Sequence, residues 1–225
     1  MLDGKAVRLE RGAYDRVAVD GGDPFELIRR VAAGRPPLVH VVALGAARDG
    51  GAPVELARRA VAAAAPVPVQ LGGGVRSVAD AQALVEAGVA RVMIGTAAFG
   101  PLPLEEFVAA LGERLVVAVD VAEGVVRTAG WLDSSSLTTA EALARCTAAG
   151  VTRILCTAIA RDGTMAGPDL ELIREVRAGF SGAVLAAGGI RDAADVEAVR
   201  RTGADGAVVG RALLEGGFGW PATLG

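Results

Sequence analysis

The 225-residue sequence has a globular composition, with 52% hydrophobic, 22% charged and 4% aromatic residues. Its net charge of −3 provides neither a basic footprint for nucleic acid nor a polybasic patch for a membrane surface. No apolar run approaches the roughly 18 residues of a membrane span, and the N-terminus has no apolar signal segment. We therefore expect a cytoplasmic protein with a single domain over residues 1–225.

Short apolar runs alternate with amphipathic helical stretches along the chain. The runs lack polar alternation, as is typical of parallel strands that are buried on both faces. They are Leu38–Leu44, Val67–Leu71, Arg91–Ile94, Leu115–Val121, Arg153–Thr157, Ala183–Ala187 and Gly206–Val209. A shorter run at Ala6–Leu9 is the candidate for an eighth strand. Repeated strand–helix units of this kind predict an α/β fold, specifically a (β/α)8 TIM barrel.

Two of the helical stretches carry clear start and stop signals. Ser77–Ala87 begins at a serine and Asp192–Thr202 begins at an aspartate, and both side-chain types cap helix N-termini well. The two stretches are followed by Gly88 and Gly203, which favour helix ends. These signals predict helices that lie outside the sheet.

An internal repeat relates the two halves of the chain. Gly73–Ala97 aligns with Gly188–Ala212 without a gap, at an offset of 115 residues, and nine of the 25 aligned positions are identical. Because this offset is close to half of the chain length, the repeat predicts two related half-barrels.

Each copy of the repeat has the residues of a phosphate-binding turn. An apolar strand ends in Gly-Gly, and the strand after it ends in a glycine that precedes another helix. Glycine lets the backbone approach an anion, and a helix N-terminus offers unpaired N–H groups. Two copies predict two phosphates at opposite ends of one ligand, although tight turns alone are the alternative. The residues of the two sites are Gly73, Gly74, Arg76, Gly95 and Thr96 in the first half and Gly188, Gly189, Gly210 and Arg211 in the second.

Polar side chains at two other strand ends are candidates for acid–base chemistry. Asp120 lies at the end of an apolar strand, and Asp162 follows the strand that ends at Thr157. Carboxylates at the mouth of a barrel suit general acid–base catalysis on a sugar. Asp162 and Gly163 also form a common turn dipeptide, so a structural role for Asp162 stays open.

The remaining special residues have plainer interpretations. His40, the single histidine, is predicted to be a satisfied histidine inside the barrel, and Cys146 and Cys156 to be buried thiols. Trp131 follows a glycine and could either cover a heterocyclic base or pack against the rim. No metal-ligand spacing is present, so we expect no metal.

Several segments together resemble the barrel isomerases of histidine biosynthesis, over nearly the whole chain. The segments are LDGKAVRL, VQLGGGVRS, IGTAAF, AVDV, GWLDSSS, CTAIARDGTMAGPDL, AAGGIRD and VVGRALLEGGF. The resemblance implies a (β/α)8 barrel that converts a bis-phosphorylated aminoaldose to the ketose without a cofactor.

The resemblance also implies roles for individual residues. Asp162 would be the general acid, with Asp120 and Thr157 supporting the reacting sugar. Arg8 and Gly163 would contact the substrate, and Trp131 would cover it. The expected partner is this small molecule alone, with no nucleic acid or membrane, and the protein is expected to be a monomer.

The sequence departs from the family pattern at the first strands. The family's general base ends strand one, and alignment of Leu2-Asp3-Gly4 places that base before Met1, so we expect a truncated first strand and poor turnover. Two acids of the family's second strand are replaced by Ala43 and Gly45, and a third acid by Ala158.

Three functional hypotheses remain at this point. The first is an isomerase whose true start lies upstream, and the second is a degenerate barrel that only binds phosphorylated ligands. The third is a bifunctional isomerase that also converts phosphoribosyl-anthranilate. The third is disfavoured because Thr128-Ala129-Gly130-Trp131 lacks the arginine of the bifunctional loop.

Overall fold

The structure, a computed structural model, describes residues 1–10, 13–128, 131, 133–216 and 218. The side chains of residues 8–10, 13–20 and 133–136 lie outside this description. In the described parts of the chain, no helix has both the length and the apolar character needed to cross a bilayer.

Strands and helices alternate through most of the described chain. The strands are β1 (Val7–Glu10), β2 (Ala13–Asp20), β3 (Val39–Val42), β4 (Val69–Gly72), β5 (Arg91–Ile94), β6 (Leu115–Ala122), β7 (Val125–Thr128), β8 (Asp133–Thr138), β9 (Arg153–Ala158), β10 (Ala183–Ala187) and β11 (Gly206–Val208). The α-helices are α1 (Pro24–Ala33), α2 (Leu44–Asp49), α3 (Val54–Ala64), α4 (Val78–Glu86), α5 (Leu104–Leu111), α6 (Thr139–Ala148), α7 (Leu170–Gly179), α8 (Ala193–Arg200) and α9 (Arg211–Leu214). Short 3₁₀ helices lie at Thr96–Phe99 and Gly112–Arg114.

Seven parallel strands form the central sheet, in the order β11-β10-β9-β6-β5-β4-β3. They coincide with the seven apolar runs of the sequence, so the predicted barrel class and strand positions are confirmed. Among the described residues, no strand pairs with the outer edge of β3 or of β11. In the described part of the chain, the sheet is therefore a nearly closed barrel with one open seam between β3 and β11.

The prediction for the eighth strand is wrong in its placement. Ala6–Leu9 does contribute to a strand, β1, but β1 pairs antiparallel with β2 in a separate two-stranded sheet. β1 and β2 are consecutive in the chain, and a short connection between consecutive strands favours antiparallel pairing. The hairpin therefore does not close the seam.

The core lies between the sheet and the helices around it. Phe107 of α5, Leu84 of α4 and Ile154 of β9 are wholly buried there. Truncation of such a side chain to alanine typically costs about 2–5 kcal/mol. Cys146 and Cys156 are buried as predicted, and burial raises the pKa of both thiols to about 12, which makes them inert.

The helices that follow the two glycine turns begin as the sequence predicts. Ser77 caps α4 in a capping box with Asp80, and Asp192 caps α8 by accepting the N–H of Asp195 at 3.0 Å. Caps of this type are worth about 1 kcal/mol each. Both helices therefore start at a fixed residue, which fixes the position of the turn before each of them.

Candidate active site

A cavity of about 1270 Å³ opens where the parallel strands end and extends down into the barrel. It is lined by every site residue predicted from the sequence except Arg8. These residues are Gly73, Gly74, Arg76, Gly95, Thr96, Asp120, Trp131, Thr157, Asp162, Gly163, Gly188, Gly189, Gly210 and Arg211. Arg8 lies in β1 opposite Val19, and its side chain is outside the described part of the chain.

The two glycine turns have the same backbone conformation. The φ angles are +105° at Gly73 and +104° at Gly188, and the two glycines after them have +84° and +82°. Gly95 (φ −114°, ψ −88°) and Gly210 (φ −114°, ψ −89°) precede short helices in the same way. The sequence repeat is thus a structural repeat, accurate to a few degrees.

A close approach between loops requires glycine at Gly74 and Gly189. A β-carbon at Gly189 would clash with the carbonyl oxygen of Gly167, and one at Gly74 would clash with that of Gly51. The positive φ angles disfavour other residues as well. In each half-barrel, the loop after one strand is therefore packed directly on the glycine turn after the next strand.

The two turns lie on opposite sides of the cavity mouth. One turn follows β4 and β5, the other follows β10 and β11, and β6 and β9 lie between β5 and β10 in the sheet. Asp120 of β6 and Thr157 of β9 are register partners at the ends of these intervening strands. The candidate acid–base groups are thereby placed between two candidate anion sites.

Asp120 is half-buried and carries two hydrogen bonds. The indole Nε1 of Trp131 donates to its Oδ2 at 2.9 Å, and the Thr157 hydroxyl donates to the same carboxyl group. Burial raises the pKa of Asp120, and these hydrogen bonds oppose the increase. A carboxyl group with a raised pKa exchanges its proton more readily near neutral pH.

The Trp131–Asp120 hydrogen bond is a contact that the sequence did not reveal. The sequence suggested covering a ligand or packing against the rim, whereas the indole lines the cavity and bonds to Asp120 near the end of β6. Trp131 has φ +74°, an unusual conformation for a tryptophan. Trp131 lies between β7 and β8. The residues next to it in sequence do not indicate its partner, because Asp120 is 11 residues away.

Asp162 and Gly163 lie in a turn directly after β9. The backbone N–H of Asp162 donates to the carbonyl oxygen of Ala158 at 3.0 Å, and Gly163 has φ +70°. The Arg211 guanidinium donates to the Gly163 carbonyl oxygen at 2.8 Å and contacts Glu215 at 2.6 Å. The Asp162-Gly163 pair is therefore a turn, as its sequence allowed, and this turn places Asp162 at the cavity.

Arg76 and its counterpart Arg191 each lie directly before the N-cap residue of the helix that follows a turn. Their backbone N–H groups donate to Asp80 at 3.0 Å and to Asp195 at 2.9 Å. The Arg191 side chain also pairs with Asp195 at 2.8 Å. The repeated Asp80 and Asp195 are thus explained by their hydrogen bonds at the helix starts, and Arg76 also lines the cavity.

His40 and Gln70 form a polar pair inside the barrel. Their side chains are hydrogen-bonded at 3.0 Å between Nε2 of Gln70 and Nδ1 of His40, which confirms a satisfied interior histidine. Gln70 is wholly buried, and its Oε1 has no hydrogen-bond partner among the described residues. Sequence reasoning overlooked Gln70, although a polar residue between Val69 and Leu71 in a buried strand was the available signal.

The general base and a possible metal site were also considered in the sequence. The general base that the resemblance implies for the first strand is tested by no contact in the structure and stays a prediction. Within the described residues, no group of three or more His, Cys, Asp or Glu side chains is arranged to hold a metal ion.

Comparison with known proteins supports the family resemblance of the sequence over nearly the whole chain. The family model described as "Histidine biosynthesis protein" matches residues 1–219. A protein of Thermomicrobium roseum is 43% identical, with 96% of this chain and 90% of the relative covered. One of Klebsiella pneumoniae is 41% identical, with 97% and 92% covered. One of Synechococcus is 39% identical, with 100% and 87% covered.

All three relatives carry the same name, 1-(5-phosphoribosyl)-5-((5-phosphoribosylamino)methylideneamino) imidazole-4-carboxamide isomerase. Both the family model and these relatives extend across both glycine turns and the strands between them. With its fold, its repeated turns and these similarities, the chain belongs to the family of histidine biosynthesis proteins.

Proposed function

We propose that the chain catalyses the isomerisation for which its relatives are named, the conversion of a bis-phosphorylated aminoaldose to the corresponding ketose. The main support for this proposal is the pair of glycine turns, which have matching backbone angles and lie on opposite sides of one cavity mouth. Asp120 and Thr157 lie between these turns. A ligand with a phosphate at each end would present its middle to these two residues.

Each phosphate would be bound mainly by backbone N–H groups. Gly73, Gly74 and Gly95 with Thr96 form one site, and Gly188, Gly189 and Gly210 with Arg211 form the other. The first N–H groups of a helix have no partner within the helix, and the helix dipole favours an anion there. Two such sites would hold the substrate at both ends and leave the reacting sugar little freedom, which itself lowers the barrier.

Asp162 would supply the proton for ring opening. The proton passes to the ring oxygen, the bond from C1 to that oxygen breaks, and a protonated imine forms at C1. Transfer of the C2 proton to a carboxylate, for which Asp120 is the candidate in this cavity, then gives an enolamine, which tautomerises to the aminoketose. Each transfer requires a group within hydrogen-bond reach, and Asp162 lines the same cavity as Asp120.

Asp120, Thr157 and Trp131 would orient the sugar and cover it. The Thr157 hydroxyl can both donate and accept, so it can bond to Asp120 and to a sugar hydroxyl together. Trp131 lines the cavity beside Asp120, and its indole would shield the intermediate from water once the ligand is bound.

The test is an assay of the purified protein with the bis-phosphorylated aminoaldose, followed by chromatography of the ketose. The matched control is Asp162→Asn, which keeps the size of the side chain and removes the acid. We expect slow but measurable turnover by the wild type and a further loss of roughly 10²-fold or more in the variant. Binding of the aminoaldose without turnover would instead establish a phosphate-binding barrel without catalysis and refute the proposal.

A further inference from the structure

One side chain connects the second glycine turn to the loop that carries Asp162. Arg211 is the first residue of α9, directly after Gly210, and its Nη1 donates to the Gly163 carbonyl oxygen at 2.8 Å. Gly163 is the residue after Asp162. We propose that Arg211 is a positioning residue that couples phosphate binding at the second turn to the placement of Asp162. This inference rests on the proposed function.

The Arg211 side chain is committed to the protein rather than to a ligand. Its Nε pairs with Glu215 at 2.6 Å, one turn later in the chain, while Nη1 contacts Gly163. The backbone N–H of Arg211 is separate from these contacts and belongs to the first turn of α9, where N–H groups lack helical partners. One residue thus offers its backbone to the phosphate and its guanidinium to the loop of the acid.

Apart from this contact, the loop is held at its two ends and at Thr164, whose N–H and hydroxyl both donate to the Arg161 carbonyl oxygen, at 3.1 Å and 2.7 Å. These other bonds do not involve Gly163. At its start, the N–H groups of Arg161 and Asp162 donate to the Ala158 carbonyl oxygen, both at 3.0 Å. At its end, the Gly167 N–H donates to the Gly189 carbonyl oxygen at 3.1 Å. Gly163 lies between them with φ +70°, a conformation that glycine leaves easily. A hydrogen bond from a charged donor is stronger than one between neutral groups, so the Arg211 contact favours one conformation of Gly163.

The repeat supports the same inference by comparison. At the offset of 115 residues, Arg211 corresponds to Thr96, which has no guanidinium, and Asp162 corresponds to Ala47, which has no acid. The backbone of the two glycine turns is nevertheless the same. The long side chain of Arg211 therefore occurs in the half-barrel that contains Asp162. Phosphate binding by backbone N–H groups does not require such a side chain in either half.

The inference is tested with Arg211→Met, which keeps the apolar stem and removes the donor, and with Arg211→Lys, which restores one donor. Arg29→Met is the matched control, because Arg29 pairs with Glu26 on the exposed side of α1. We expect Arg211→Met to lower kcat by about tenfold or more with little change in KM, since misplacement of a catalytic group by about 1 Å can cost 10²-fold. Arg211→Lys should recover part of kcat, and Arg29→Met should match the wild type.

Hydrogen exchange provides a readout that does not depend on turnover. Inorganic phosphate should slow amide exchange in residues 159–167 of the wild type, but not in Arg211→Met, even though the variant still binds phosphate. If Arg211→Met does not fold, Arg211→Gln takes its place in both measurements.

Two results would overturn the inference. An increase in KM and in the phosphate Kd with unchanged kcat would make Arg211 a ligand. A lower Tm with unchanged kcat and unchanged exchange coupling would make its role merely structural. A wild type without isomerase activity would refute the proposed function alone, because the exchange measurement would still decide whether Arg211 couples the two loops.

Discussion

The single histidine permits a direct test of the barrel interior. Burial lowers the pKa of His40 from 6.5 to about 4, so the imidazole is neutral at physiological pH. The Nδ1 of a neutral ring accepts the Gln70 amide, whereas a protonated ring would direct an N–H at that same amide. The folded protein thus resists protonation at a site where the unfolded chain accepts it.

The sign and size of the effect follow from this pKa difference. Because the pKa is lowered on folding, the stabilisation is complete above pH 6.5 and is lost as the pH falls towards 4. At 1.36 kcal/mol per pKa unit, the loss is about 2 kcal/mol at pH 5 and about 3 kcal/mol at pH 4. This is a considerable part of the stability of a typical domain.

Two measurements test the prediction. In NMR spectra, the one histidine Hε1 signal should titrate with a pKa near 4. In urea unfolding, His40→Gln keeps an acceptor for Gln70 and has no proton to gain, so it should lose about 2 kcal/mol less stability than the wild type between pH 7 and pH 5. A titration near 6.5, or equal acid sensitivity of the two proteins, would refute a buried neutral His40.

The remaining predictions concern the cavity mouth. Asp162→Asn should lower kcat by roughly 10²-fold or more with the bis-phosphate still bound, and an unchanged rate would remove Asp162 from the mechanism. Trp131→Phe removes a hydrogen bond that lowers the pKa of Asp120, so the pH profile of kcat/KM should move to higher pH, and it should stay in place if Asp120 does not titrate in the reaction. Gly189→Ala and Gly74→Ala combine a clash with a positive φ, so each should raise the phosphate Kd and lower stability by about 1 kcal/mol or more, and wild-type phosphate affinity in both would argue against the two turns as anion sites.

Local sequence patterns sufficed for the strands and turns of the barrel. A parallel strand covered on both faces is apolar at nearly every position, as in β6, so its limits can be read directly. The glycine turns were recognisable because they occur twice with the same spacing. These features depend on residues that are adjacent in sequence, or on comparison of one half of the chain with the other.

Pairings between distant residues could not be predicted in the same way. Nothing local distinguishes a strand of the barrel from a strand of a hairpin, so β1 was assigned to the wrong sheet and β2 was not predicted. The β7–β8 pair was likewise missed, and its region was interpreted as a loop around Trp131. The contact between Arg211 and Gly163 joins residues 48 positions apart and becomes visible only once the barrel brings the ends of its strands together.

The site combines two equivalent glycine turns with catalytic candidates that occur only once. Because the two glycine turns have the same backbone, neither turn by itself distinguishes one phosphate of a ligand from the other. A ligand that bound in the reverse direction would place its reacting carbon on the wrong side of Asp162. Single-copy features must therefore set the direction, and the structure has two of them: the loop of Asp162 held by Arg211, and Trp131 hydrogen-bonded to Asp120. Loss of these features should impair catalysis more than phosphate binding, since the duplicated turns would still hold the ligand at both ends.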